Sequence, residues 1–238
     1  MATTKVTSSV IGDNEVKTVN VLDANITTAK IADDAITLAK LAPGTDGNLI
    51  TYDASGNPAA VATGSLGNVL TSAGVGAPPT MSMPSTITSD TSVGTGNSYD
   101  ISGIPAGVRC VHVLFEGVST ASTSPILVQL GDAGGIETSG YVAESALAGD
   151  SGLQSSTAGY VVFYHAAAQS MSGVMNLYLK DAANHTWVSS HSVRAATAIV
   201  AVGAGVKSLS AALTQIRITT INGSQAFDAG TVALQYGY

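Results

Sequence analysis

The chain has 238 residues, and 9 basic residues against 16 acidic ones give a formal net charge of −7. That balance excludes a nucleic-acid binder, which needs clustered Lys and Arg. Only 11% of residues are charged, where soluble proteins carry about 25%, so much of the surface is expected to be covered by other chains. The most apolar run, 195–206, is too short for a bilayer span of about 20 residues, and no membrane insertion is expected. Met-Ala-Thr-Thr-Lys at the start lacks the apolar centre of a signal peptide, so the expected site of assembly is a cytoplasm. A lone cysteine, Cys110, excludes an intrachain disulfide and reads as a small hydrophobe in an apolar run.

Residues 6–45 form four decapeptides in register. Position one is β-branched in every copy (Val6, Val16, Ile26, Ile36), and position six is aliphatic (Ile11, Val21, Ile31, Leu41). Position eight is Asp13, Asp23 and Asp33, then Pro43. An odd spacing of five places the two apolar positions on opposite faces of a strand. On a helix they sit roughly 140° apart. The chain must therefore bend in each repeat, and the Asp, Asn and Gly residues late in the repeat suit that bend. The segment Thr-Thr-Ala-Lys-Ile-Ala (27–32) has the make-up of one helical turn with a Thr cap. Ordering the backbone costs about 1–2 kcal/mol per residue. Burying an aliphatic side chain returns about 1.5–3 kcal/mol. Two aliphatics per ten residues thus cannot build a core in one chain: the segment is either disordered or wound with copies of itself. The strict register favours the second, with these eight aliphatics as the stalk core.

In the next stretch, Gly-Asn-Leu-Ile-Thr (47–51) returns as Gly-Asn-Val-Leu-Thr (67–71). The turn signal Asp-Ala-Ser-Gly-Asn-Pro (53–58) separates the two. Short strands joined by tight turns are expected. Residues 78–98 hold three of the seven prolines and a Ser/Thr/Gly run, and read as a neck or linker. These shifts divide the chain into a repeat stalk (1–45), a β-repeat collar with a Pro-rich neck (46–85) and a head (86–238).

The head reads as all-β. Val111, Val113 and Phe115 alternate on one face of a strand beginning near Val108. Further strands are expected at 126–131, 140–147, 159–165, 173–180, 185–193, 197–202, 213–221 and 230–236. Gly, Ser, Asn and Asp punctuate them, as in an antiparallel sandwich or jelly roll. Gly203-Ala-Gly205 is expected to be a turn. The fold class is therefore mainly β: a decapeptide-repeat trimeric stalk of short strands and helical turns, followed by a jelly-roll-like antiparallel β-sandwich.

The run Ile-Thr-Thr-Ala-Lys-Ile-Ala-Asp-Asp-Ala-Ile-Thr-Leu-Ala-Lys-Leu (26–41) and the block at 47–79 resemble the repeats of bacteriophage tail fibres. Ile-Ser-Gly-Ile-Pro-Ala-Gly-Val-Arg (101–109), Gly-Ile-Glu-Thr-Ser-Gly-Tyr (135–141) and Arg-Ile-Thr-Thr-Ile-Asn-Gly-Ser-Gln-Ala-Phe-Asp-Ala-Gly (217–230) resemble their distal domains. The resemblance implies a parallel homotrimer in a virion. Its N-terminus would dock on a tail, neck or head protein, and its C-terminal head would bind a host surface glycan or protein. The alternative is a purely structural fibre, collar or decoration protein that touches no receptor.

No enzyme is expected. The head's acids (Glu116, Asp132, Glu137, Glu144, Asp150, Asp181, Asp228) form no recognisable catalytic spacing, and a Gly-x-Ser-x-Gly elbow is missing. No metal or other cofactor is expected. His185 and His191, six residues apart on a straight strand, would stand about 20 Å apart. Sugar sites pair an aromatic face with polar groups. The expected surface binding patch is accordingly Trp187 with His185 and His191, joined by Tyr141 and Tyr164.

Overall fold

The computed structural model describes residues 17, 21, 25–32, 35–36, 46–149, 151–162, 167 and 169–237. Among the repeat positions, Val6, Ile11, Val16 and Leu41 lie outside the described residues. Val21 is half-buried, and Ile26, Ile31 and Ile36 are 58%, 38% and 56% exposed. The expected helical turn is present in the third repeat as a 3-10 turn over Thr28–Lys30. Its backbone bond runs from Lys30 N to Thr27 O at 2.9 Å.

Strands β1 (Leu49–Tyr52) and β2 (Pro58–Val61) form an antiparallel hairpin. Its turn is fixed by Asp53, whose carboxylate accepts from Asn57 N at 2.9 Å and Ser55 N at 2.8 Å. Those bonds, the Asn57 backbone N–H foremost, hold the Asp53 carboxyl below its ordinary range. Leu49, Ile50 and Tyr52 remain exposed, as expected of a hairpin that cannot cover its own apolar side chains. β3 (Val69–Thr71) and β4 (Thr80–Ser82) make a second short pair.

A compact unit holds the remaining strands. These are β5 (Ser85–Ile87), β6 (Thr91–Ser92), β7 (Ser98–Ser102), β8 (Cys110–Thr120), β9 (Ile126–Asp132), β10 (Gly135–Ile136) and β11 (Val142–Ala148). After them come β12 (Leu153–Ser156), β13 (Tyr160–Val162), β14 (Met171–Asp181), β15 (Thr186–Ala196), β16 (Ile199–Ser208), β17 (Gln215–Thr220) and β18 (Phe227–Gly237). No α-helix occurs among the described residues. The larger sheet has nine strands in the order β12-β11-β16-β15-β14-β8-β18-β5, with β6 also on β18. The smaller has five, β10-β9-β17-β7 with β13 on β9. The two sheets share one hydrophobic core. Val111, Val113, Met175, Leu177 and Trp187 come from the larger sheet, and Val128, Leu130, Ile216 and Ile218 from the smaller.

Strand register defines two ends of this unit. The chain enters at Ser85, opposite Gly237, and Gly237 lies opposite Cys110. The β14–β15 turn is at this same near end, since Cys110 lies opposite Tyr178. At the far end lie the loops 121–125, 197–198 and 221–226, which follow β8, β15 and β17.

Two expectations are corrected. Residues 78–98 are not a bare neck, because β5 and β6 pair with the C-terminal strand. Backbone bonds extend this contact, from Thr88 N to Leu234 O at 2.7 Å and Val93 N to Gly230 O at 3.0 Å. Gly203-Ala-Gly205 is no turn but the middle of β16. The missing side chains make room there, since a Cβ on Gly203 would overlap the His191 ring and one on Gly205 would come within 2.8 Å of Tyr160. Gly230 is required for its backbone. It sits at φ +103, where β18 slips against β8, and a Cβ would lie 2.5 Å from Val118 N. Gly230→Ala is expected to cost about 1–3 kcal/mol, measured as a lowered urea midpoint. An unchanged midpoint would mean the bulge relaxes freely.

Candidate functional site

The structure disperses the expected patch. Along β15, burial alternates: Trp187, Ser189, His191 and Val193 face the core, and Ser190, Ser192 and Arg194 face out. Trp187 is 2% exposed, and Tyr160 OH donates to its carbonyl at 2.9 Å. Tyr141 is 1% exposed. Its hydroxyl accepts from Leu130 N at 2.6 Å and donates to Glu137 O at 3.0 Å. Its ring meets Tyr160 edge-on at 5.2 Å and lies 5.3 Å from Lys207 Nζ. Burial raises both tyrosine hydroxyls well above their ordinary range. Lys207 pairs with Glu137. Burial opposes charging Glu137, yet hydrogen bonds from Lys207 and Ser210 hold its carboxyl below the usual value. These aromatic residues tie the two sheets together and offer no stacking face. Tyr164 lies outside the described residues.

His185 is not on the strand. It occupies the β14–β15 turn with φ 47, a turn capped by Asp181 bonding to Ala183 N, Asn184 N and the Asn184 amide. It does meet Trp187 at a cleft of about 170 Å³ that Leu179 and Leu213 also line. That cleft is at the near end, where the chain enters. His191 is elsewhere, 6% exposed, with Nε2 2.9 Å from Ser145 Oγ. Burial pulls its pKa from 6.5 down to about 4. Its Nδ1 has no partner, so no carboxylate orients the ring as a base. Ser145 is 1% exposed. The pair is a buried polar contact.

A surface with more open chemistry lies on the outer face of the smaller sheet. Alternation along β17 buries Ile216 and Ile218 and leaves Gln215 and Arg217 half-exposed on the other face, while Thr219 is buried. In register, Arg217 stands between Asp100 on β7 and Gln129 on β9. Its guanidinium is bidentate on Asp100, at 2.6 and 2.7 Å. That hydrogen-bonded pairing keeps the Asp100 carboxyl below its ordinary range. A groove of about 310 Å³ runs over Arg217, Gln129 and Thr219 to Asn222 and Gly223 in a far-end loop. Gln129 Nε2 donates to Ala158 O and Thr219 Oγ1 to Asn97 O, and both residues are buried. The polar groups the groove offers a hydroxyl-rich ligand are therefore the half-exposed Arg217–Asp100 pair and the exposed Asn222 amide. The alternation of Gln-Ile-Arg-Ile-Thr in the sequence carried this signal. The pair is half-exposed, at 33% and 42%, so Arg217→Ala is expected to change stability by only about 0–1 kcal/mol. A loss far above that in urea denaturation would make Arg217 a structural residue.

Among the described residues no group of three or more His, Cys, Asp or Glu is placed to hold a metal. No helix among them is long and apolar enough to cross a membrane. Compared with family models, curated proteins and solved structures, the chain matches none.

Proposed function

We propose that this chain is a non-enzymatic bacteriophage fibre protein that acts as a homotrimer and attaches the virion to a host-cell surface polymer, with a glycan as the favoured ligand. The decapeptide repeats form the trimeric stalk and dock on a tail, neck or head protein. The two sheets form a jelly-roll-like sandwich, modified by the β14–β15–β16 meander. The observation that carries this reading is the repeat itself: its described aliphatics Ile26, Ile31 and Ile36 stay 58%, 38% and 56% exposed, and it precedes a β unit whose far-end loops are clear of the point of chain entrance. The polar groove at Arg217 and Asn222 opens toward those loops and is the favoured contact. Three linked weak sites gain avidity, because each later contact is intramolecular.

The test is competition. Purified protein should bind host cells and block virus adsorption, and Arg217→Ala should weaken both while leaving the fold intact. Failure of the unmodified protein to bind cells or compete would end the attachment reading. One observation favours a second reading, a structural collar or decoration protein without receptor contact: Trp187 and Tyr141, the aromatics suited to sugar stacking, are buried. Immuno-electron microscopy of particles separates the two, since attachment requires the head at an exposed tip.

A further inference from the structure

The outer face of the larger sheet is a second exposed feature, with chemistry opposite to the groove. Val142, Val202, Val206 and Leu153 are 68%, 41%, 36% and 69% exposed there. They border a shallow depression of about 670 Å³ over β11 and β16. Register sorts the face into rows across the strands. One polar row runs Glu144, Ala204, Ser190, Asn176, His112, Gln235. Within it His112 Nδ1 and Asn176 Oδ1 are 2.7 Å apart. An apolar row lies on either side. Val142, Val206, Val188 and Tyr178 form one, and Val202, Val174, Leu114 and Ala233 belong to the other, which Ser192 interrupts.

We infer that this face of the larger sheet is where the heads of associated chains pack on one another, so that its partner is a second copy of this chain. The inference rests on the trimer reading and names the surface involved. Three observations select the occupant. Ile26, Ile31 and Ile36 of the repeats are exposed in the single chain, and chains joined through them would hold their heads at high effective concentration. The face is built mainly of Val, Ala and Ser, so a sheet of the same kind fits it. A polar row between two apolar rows is matched by the same pattern on a symmetry mate. Gathered about a threefold axis, the rows become layers: the apolar layers exclude water, and the polar layer fixes the register. A hydroxyl-rich polymer would leave the apolar rows uncovered, and a lipid surface would strand the polar row.

Cysteine labelling on the full chain tests this. Cys110, the only cysteine, is first replaced by Ser. Ala204→Cys then puts a thiol in the polar row, and Ser139→Cys puts one on an exposed loop as a reference. Val202→Cys serves as a second probe of the face. Mass is measured on the same samples by light scattering. The expected species is about 71 kDa, three copies of 23.7 kDa. In it, a maleimide should label Ala204→Cys roughly tenfold more slowly than Ser139→Cys, and a short bis-maleimide should link chains through it. Equal labelling rates in a species of that mass overturn the proposed face and leave the trimer standing. A monomer mass overturns both.

Discussion

Trp187→Ala is expected to be the most damaging single substitution in the head. The side chain is among the largest fully buried ones, at 2% exposure between the two sheets. It is supported by Tyr160, which bonds its carbonyl at 2.9 Å. Truncating a buried Trp typically costs about 3–5 kcal/mol, because packing is lost and the neighbours close the cavity only in part. Against a typical domain stability of about 5–15 kcal/mol, that leaves little margin. The predicted result is a large fall in the urea midpoint followed by far-UV circular dichroism at fixed chain concentration, since oligomerisation is linked to stability. Tyr160→Phe should show a far smaller fall of about 1 kcal/mol, the typical worth of one hydrogen bond. The contrary case is clear. Were Trp187 a contact residue on the surface, its removal would change stability by only about 0.5 kcal/mol, and binding would be lost from a fully folded protein. A folded, stable Trp187→Ala that fails to bind cells would restore it to the ligand site.

The strands of the head were largely legible because side-chain alternation and turn residues agree locally. All eight segments expected between residues 126 and 236 contain or overlap a strand, from Ile126–Asp132 to Phe227–Gly237. What escaped depends on distant partners. β5 and β6 lie in a Ser/Thr/Pro stretch without alternation, and they exist because β18 offers an edge about 145 residues later, a pairing that no local propensity encodes. Gly203 and Gly205 have turn chemistry locally, yet they sit in a strand because His191 and Tyr160 fill the space they leave. The binding patch failed on parity. An aromatic residue is as well suited to a core as to a sugar, and only the face of the strand decides. That parity was present in the sequence. Arg194 cannot readily face an apolar core, and this sends Val193, His191, Ser189 and Trp187 inward together. Arg217 on β17 is outward by the same rule, which points to the groove at Gln129 and Thr219.

Burial of His191 predicts a specific acid sensitivity. Ser145 Oγ lies 3.4 Å from Val202 O, as a donor to it, and 2.9 Å from His191 Nε2. The Ser145 hydroxyl is the partner of Nε2, and Nδ1 has none. An added proton makes the ring a buried cation, and desolvation therefore pulls the pKa from 6.5 to about 4. The folded value is below the unfolded one, so between those values the unfolded chain binds more protons, and stability falls as pH falls. The contribution is intact above about pH 6.5 and is lost progressively down to about pH 4, by about 3 kcal/mol in all. Asp100, Asp132 and Glu137 are held below their ordinary carboxylate values, so their losses fall mainly at or below the lower end of this window. Urea midpoints read by the fluorescence of the single tryptophan should therefore decline from pH 6.5 to 4. His191→Gln, which cannot take up a proton, should flatten that decline while lowering stability at neutral pH through imperfect packing against Gly203. A variant that keeps the full slope would assign the sensitivity to other groups, and a flat profile in the unmodified protein would mean that the buried imidazole finds a proton partner after all.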